Sequence, residues 1–347
     1  MLALLTEEQE MLKQTASQLA SSAAVHSPSD LSSVDRAKAW AALSDSGFLA
    51  LRVRDEEGIP AASGVEVMLV CEAFGAALAP VPYLGGIVAA ELMSRARVPE
   101  TWLDGLMSGE TRYGLLLAPD LSRLARIEEA EGAIAFDVDE AGYALGLSGP
   151  VDAPVPVRVG LGRGFGPLDA ADLTRRCLRL DDPSVVQADA GAVWDDRGGR
   201  HGWFALALVA ASADVVGVMS SALQRAVDYA KERVQYGVKI GSFQAIQHMC
   251  ADALVQIEAS ASATRFAAWA VDALDSDEAL LAARVAKSYS SSVAREVTET
   301  VMQVFGGIGQ TWEHVAHLHA RRALTDRAIF GDESYHLLRI ADARLGA

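Results

Sequence analysis

Arg233-Val-Gln-Tyr-Gly-Val-Lys-Ile-Gly-Ser-Phe-Gln244 joins the end of one apolar helix to the start of another. After it, Phe243, Ile246, Cys250, Leu254 and Ile257 recur at spacings of 3, 4, 4 and 3, which predicts one stripe of an amphipathic helix. Before it, Trp203–Met219 is the most apolar run of the chain. That run contains Ser212 and Asp214 and falls short of the ~20 clean residues that span a bilayer, so it predicts a buried core helix and no membrane span. Within the stretch, Gly237 reads as a C′ glycine, and Arg233 complements the negative end of the helix dipole. The Arg233 guanidinium could equally fork onto phosphate oxygens. A second glycine stop, Gln303-Val-Phe-Gly306-Gly307-Ile-Gly309, ends a helix predicted over Glu278–Phe305 and leaves backbone that a ligand can approach closely. A guanidinium, an amide and open backbone in one helical region would suit a dianionic pyrophosphate.

Working outward, Thr6-Glu-Glu-Gln9 has the form of a capping box and opens a helix to about Ala20. Helices follow around Asp35–Asp45 and over Val65–Ala79, the latter stopped by Pro80 and Pro82. Short β-like runs at Tyr113–Leu117, Ile134–Val138, Val155–Val159 and Cys177–Leu180 are separated by Gly, Pro and Asp. Helical periodicity returns from Trp203 and includes Ser334–Leu345. The chain is therefore expected to be mainly α with a small β-domain: an N-terminal helical domain over 1–108, a middle β-domain over 109–196 and a C-terminal helical bundle over 197–347.

With 30 basic against 46 acidic residues the net charge is −16, and 51% apolar with 22% charged residues is a globular composition. Nucleic acid and polybasic membrane contact are excluded in the absence of a basic run, which leaves a small organic ligand or a protein partner. Cys71, Cys177 and Cys250 are odd in number and show no CxxC spacing, and the N-terminus turns acidic at Glu7, Glu8 and Glu10. Neither a disulfide framework nor a signal peptide is expected, and a cytoplasmic location fits. The alternating Gly160, Gly162, Gly164 and Gly166 miss the phosphate-loop register and precede Pro167, so they read as a β-domain loop. Glu313, His314, His317 and His319 have offsets that spread their side chains around a helix, so interface or solvated histidines are expected rather than a metal site.

The segments R-x-Q-Y-G-x-x-I-x-x-F-Q, Q-x-F-G-G-x-G and Arg321-Arg322-Ala-Leu-Thr-Asp326 resemble, in the same order, the R-x-x-F-G, Q-x-x-G-G-x-G and R-D-A stretches of the FAD-dependent acyl-CoA dehydrogenases. Trp40–Gly47 followed by Val70-Cys-Glu72-Ala-Phe-Gly75 is similar to that family's N-terminal part. The resemblance implies a helical N-terminal domain, a reduced middle β-domain and a C-terminal four-helix bundle. It further implies that Arg233 contacts the FAD pyrophosphate, that Gln235 and Tyr236 lie against the flavin nucleotide, and that Phe243 and Gln244 border the adenosine. Gln303, Gly306 and Gly307 would meet the ADP part. Because these residues reach a flavin bound mainly by a neighbouring subunit, an obligate oligomer is implied.

Two departures qualify this. Phe330 stands where most of the family carries its catalytic Glu, and the alternative base position on an earlier helix is Ala207, so no catalytic residue is expected in this chain. Leu117-Ala-Pro-Asp120 is a shortened remnant of the segment that lines the flavin ring. The chain therefore resembles the base-less subunit of actinobacterial heterotetrameric (α2β2) acyl-CoA dehydrogenases, several of which act on CoA thioesters of steroid side chains. A second, catalytic acyl-CoA dehydrogenase subunit, an acyl-CoA substrate and an electron-transfer flavoprotein-like acceptor are the implied partners. Two alternatives stand beside this reading: a non-catalytic regulatory or scaffold protein that binds no flavin, and a homo-oligomeric enzyme that has re-sited its base to Asp332 or Glu333.

Overall fold

The computed structural model describes residues 4–96, 98–190 and 197–346. Five helices come first: α1 (Glu7–Ser21), α2 (Arg36–Asp45), α3 (Gly64–Ala76), α4 (Tyr83–Arg95) and α5 (Glu100–Met107). The Thr6 hydroxyl accepts from the Gln9 N–H while the Gln9 side chain accepts from the Thr6 N–H, which is the reciprocal cap read from the sequence. α3 stops at Ala76, slightly short of the expected Ala79, and α4 begins just after Pro82 with almost every residue buried.

Seven strands follow: β1 (Tyr113–Leu117), β2 (Ile134–Phe136), β3 (Tyr143–Ser148), β4 (Val155–Gly160), β5 (Phe165–Pro167), β6 (Leu178–Leu180) and β7 (Ala188–Ala190). They form one sheet in the order β5-β6-β2-β1-β3-β4-β7, with only β1 and β3 parallel. Alternation sends Leu115, Leu117, Phe136 and Leu145 into the core shared with the helices. Leu116, Ala135, Ala144 and Val157 go into a smaller core on the opposite face. The glycine run becomes the end of β4, a turn at Gly164 and β5, a purely β connection.

The remaining chain is α6 (Arg197–Glu232), a two-stranded hairpin of β8 (Val234–Gln235) and β9 (Val238–Lys239), α7 (Gln244–Ala273), α8 (Ser276–Phe305), α9 (Ala316–Ala328) and α10 (Glu333–Leu345). Helices α6 to α9 pack on one another, and α10 packs on α8. α6 is apolar and long enough to cross a membrane by composition, yet 89% of its apolar window is buried inside the protein, as befits a core helix. α3 crosses it backbone to backbone. A Cβ on Gly75 would lie 2.2 Å from the Asp214 carbonyl oxygen, and one on Gly217 would lie 2.0 Å from that of Glu72, so each helix uses a glycine to admit the other.

Two elements differ from expectation. Apolar periodicity does not mark α9, because His319, Arg322 and Asp326 fill buried positions on it beside Leu318 and Ala323. The stripe is helical from Ile246 to Ile257, with Phe243 the extended cap residue before α7, but of its members only Ile257 is fully buried; Phe243 is 37% and Leu254 49% exposed. Periodicity identifies an apolar face without saying whether this chain covers it.

Candidate functional site

Phe330 follows the α9 C-terminus and is completely buried. Its ring meets Trp203 and Phe204 of α6 edge-on, with centroids 6.4 and 6.1 Å away. Its N–H donates to the Leu121 carbonyl at 2.7 Å, in the short turn that ends β1 and returns through Leu124. Both residues of that bond have left-handed backbone, φ +61 at Phe330 and +60 at Leu121, an uncommon state for bulky side chains. The Leu117–Asp120 segment is thus the start of a tight turn closed by Ala118 N–H to Arg123 O (2.8 Å), docked onto Phe330 itself. From the other side, the buried Lys287 ammonium donates to Gly331 O (2.9 Å), Arg327 O (2.8 Å) and Ser291 Oγ (2.8 Å). Burial pushes Lys287 down to about 7. Ala207 lies within the same helix as Trp203 and Phe204, also fully buried among apolar neighbours.

The carboxylates nearest this position are engaged elsewhere. The Asp332 side chain accepts from Tyr335 N–H (3.0 Å) as the α10 cap. Glu333 accepts a two-pronged pair from Arg327, and this hydrogen bonding holds its carboxyl below the usual range.

At the far end of α6 the surroundings are open. Tyr236 (φ +52) and Gly237 (φ +81) form the left-handed pair of a hairpin turn between β8 and β9, so Gly237 is a turn residue rather than a helix C′ glycine. Arg233 is fixed through its backbone, N–H to Tyr229 O and C=O from Ile240 N–H, both 2.8 Å. Its exposed guanidinium has no partner among the described residues. Tyr236 is 94% exposed, and its ring meets the edge of Phe243 at 6.3 Å and no other ring among the described residues. Gln235 folds back on Val234 O (2.7 Å), and Gln244, exposed, begins α7. Gln303 is exposed one turn before Gly306 (φ +64) and Gly307, where a Cβ would meet nothing within 4 Å. Tyr229 against Phe305, with centroids 5.1 Å apart, brings the ends of α6 and α8 together. All eight residues expected at a nucleotide therefore sit at one end of the bundle. An unpaired guanidinium at the same end of the bundle as open glycine backbone can receive a phosphate without displacing a partner among the described residues.

Between the two ends lies a buried charge cluster that the sequence did not disclose. Arg322 (α9) holds Asp214 (α6) with two bonds of 2.8 and 2.6 Å and also donates to Ala79 O and Thr174 Oγ1, both at 3.1 Å. Arg175, from the strand region, binds Asp214 (3.0 Å) and Asp326 (2.5 Å). Burial opposes ionisation here, but the two guanidinium groups hold Asp214 well below the usual carboxylate range. Burial wins at Asp326, whose carboxyl is pushed well up. Arg322 and Asp326 of the R-R-A-L-T-D segment thus clamp the three parts of the chain together. Their partners are 108 to 243 positions away, so spacing offered no signal. Of the histidine cluster, His319 is buried and pushed down to about 3 by burial, His314 meets the Phe305 ring, and His317 stacks on Trp312 at 4.8 Å. The three rings serve different contacts.

The description "Acyl-CoA dehydrogenase, N-terminal domain" matches residues 6–110, and "Acyl-CoA dehydrogenase, C-terminal domain" matches 204–345. Acyl-CoA dehydrogenase IpdE2 of Mycobacterium tuberculosis is 32% identical over 74% of this chain and 79% of its own length. Acyl-CoA dehydrogenase FadE34 of the same organism is 36% identical over half of this chain, which spans 24% of that protein. Among solved structures, a variant of the Tcur3481-Tcur3483 steroid ACAD superposes with TM-score 0.82 at 23% identity, covering 98% of both chains. The ChsE4-ChsE5 complex from M. tuberculosis superposes with TM-score 0.79 at 22% identity over the full length of both. Identities this low speak for the fold alone.

Proposed function

Because the chain belongs to the acyl-CoA dehydrogenase family, we propose that it is the base-less subunit of a heteromeric, FAD-dependent acyl-CoA dehydrogenase, binding the ADP part of FAD at an interface with a catalytic partner. The observation that carries this reading is Phe330, sealed by Trp203, Phe204 and Leu121 at the position of the family's glutamate. α,β-Dehydrogenation takes a proton from the carbon next to the thioester carbonyl, which needs a base within hydrogen-bond reach. FAD, when bound, supplies the hydride acceptor. Phe330 and Ala207 cannot take a proton, and Asp332 and Glu333 are already committed, which also weighs against a re-sited base in this chain.

The residues present suit the ADP end of the cofactor and not its ring end. Arg233, with no counter-charge among the described residues, would fork onto the pyrophosphate. Gln235, Tyr236, Phe243 and Gln244 would flank the nucleotide, and Gln303 with Gly306 and Gly307 would receive the ADP part across open backbone. Leu117–Asp120, the remnant of the ring-lining segment, is instead the start of the turn closed by Ala118 N–H to Arg123 O. On this reading the glutamate and the ring-lining segment come from the partner, in an α2β2 assembly with one flavin per unlike pair. The substrate is an acyl-CoA thioester. The Tcur3481-Tcur3483 neighbour is a steroid ACAD, which favours a steroid side-chain CoA as substrate, with an electron-transfer flavoprotein-like protein as the acceptor, both in the cytoplasm.

The test is to purify the chain alone and with a catalytic acyl-CoA dehydrogenase encoded beside it, recording flavin absorbance. Alone it should carry little or no flavin, and the pair should carry about one FAD per heterodimer. Stoichiometric flavin in the isolated chain would sink the heteromer reading. A tight pair that never gains flavin would support the scaffold alternative.

A further inference from the structure

The buried clamp between the two ends of the bundle does not balance its charge. Arg175 and Arg322 bring two guanidinium groups, Asp172, Asp214 and Asp326 bring three carboxyl groups, and all five side chains are buried. Asp137, after β2, adds a fourth carboxyl whose charge acts on Arg175. Excess negative charge away from water is costly, so at least one of these acids must be neutral.

The hydrogen-bond donors are shared unequally among the acids. Asp214 accepts from Arg322 Nε (2.8 Å) and Nη2 (2.6 Å) and lies 3.0 Å from Arg175 Nη2. Asp172 accepts from the Thr174 N–H (2.8 Å) and hydroxyl (2.7 Å), and Asp137 from the Gly85 N–H (2.8 Å). Asp326 accepts from Arg175 Nη1 alone, through Oδ1, and no donor among the described residues reaches its Oδ2. What meets it is the Asp214 carboxyl, in hydrogen-bond contact. Two carboxyl groups can make such a contact only if one of them carries a proton. Asp214 has the donors of an ionised acid, which leaves the proton to Asp326.

We propose that Asp326 is a protonated acid at neutral pH, donating to Asp214, so that one buried proton locks the N-terminal helices, the strand region and the bundle together and its loss loosens them. The three parts meet there because Arg322 also donates to Ala79 O, after α3, and to Thr174 Oγ1, before β6. The charged and titratable groups around the pair are Arg175 and Asp172 before β6, Asp137 after β2, Arg322 on α9, Cys71 on α3 and Lys287 on α8. Burial pushes the Asp326 carboxyl well up, in keeping with the orphaned oxygen. The lock does not depend on the heteromer reading.

Denaturant melts of the full chain at pH 5.5 and 7.5 test this with two amide variants. Asp326→Asn mimics the protonated acid, its carbonyl facing Arg175 and its NH2 facing Asp214. Folding of the native chain takes up a proton at Asp326, so its folding constant should fall relative to that of Asp326→Asn by about tenfold per pH unit, a hundredfold over the two. Asp214→Asn strands both guanidinium groups and should lower the folding constant more than a hundredfold at either pH. If Asp326→Asn does not fold, infrared spectra of Glu72→Gln decide, since that variant removes another acid raised by burial. At pH 8, where Asp137 with its value of about 6 is ionised, a protonated-carboxyl stretch should remain. A native-to-variant ratio that is flat or moves the other way, equal losses in the two amide variants, or no such stretch would overturn the proposal.

Discussion

Phe330 and Tyr236 are both aromatic, both left-handed (φ +61 and +52) and both followed by a glycine of positive φ, yet one is fully buried and the other 94% exposed. A bulky residue in that backbone region costs on the order of 1–3 kcal/mol and persists only where its surroundings over-determine it. At Phe330 the compensation lies inside the chain: two edge-on aromatic contacts, a backbone bond to Leu121 and the Lys287 ammonium on the next carbonyl. At Tyr236 the chain offers one distant edge contact with Phe243. The same local strain is thus closed at one end of the bundle and open to solvent at the other. Substitutions at the sealed end should cost stability, and those at the open end should cost association.

The largest effect is expected at the seal. Phe330→Ala leaves a cavity where an aromatic ring was fully packed and should destabilise the isolated chain by about 3–5 kcal/mol in a denaturant melt. If the heteromer that survives this loss still turns over its acyl-CoA at a near-normal rate, the base is confirmed to lie elsewhere. A fall in turnover with flavin content unchanged would mean that the seal itself shapes the reacting site.

Arg233→Ala should leave the melt unchanged, because its guanidinium has no partner to lose among the described residues. Flavin retention by the heteromer after dialysis should weaken roughly ten- to hundredfold, as expected for one charge-assisted phosphate contact. Unaltered retention would leave Arg233 as a solvated helix-end charge and remove the main support for a nucleotide at this end.

Lys287 gives the seal a pH signature. Its folded pKa is about 7, below the ordinary 10.5, so between those values the unfolded chain binds the extra proton. Stability therefore rises with pH across that window, by on the order of 1 kcal/mol per pH unit from this group while the folded amine is neutral. Melts at pH 7.5 and 9 should show this rise in the native chain and lose it in Lys287→Met. Equal slopes in the two proteins would mean that Lys287 stays charged in the fold, held by its three acceptors.

Much of the architecture was legible because its signals are local. The Thr6–Gln9 cap, the prolines after α3 and the β runs at Tyr113 and Val155 each announce an element within a few residues. What escaped is non-local. The Arg175–Asp214–Arg322–Asp326 cluster joins three distant segments, and its polar side chains occupy the positions on α9 that apolar periodicity would have used. That the family's base position falls on Phe330 is what the resemblance implies, but the sealing of Phe330 could not be read from the sequence. That depends on Trp203 and Phe204, more than 120 residues earlier, and on a turn whose carbonyl happens to face it. Gly237 was misread because a glycine after a helix end suits both a C′ position and a hairpin, and only the second left-handed residue, Tyr236, separates the two.

That residue also carries the smallest and most discriminating prediction. A two-residue turn with both φ values positive favours Asn-Gly, since asparagine tolerates the left-handed region better than tyrosine does. Considered within the chain alone, Tyr236→Asn improves the turn and removes almost no packing, so it should leave the isolated protein as stable as before or a few tenths of a kcal/mol more stable. If Tyr236 is kept for a contact outside the chain, the same change should weaken the heteromer or its flavin retention. An aromatic ring buried at such a contact contributes about 0.5–1.5 kcal/mol beyond its area. Opposite signs in the two measurements would place the reason for this tyrosine in the partner or its cofactor. A variant that melts higher and still assembles with full flavin would show that Tyr236 is tolerated rather than used, and the parallel with Phe330 would end at the backbone.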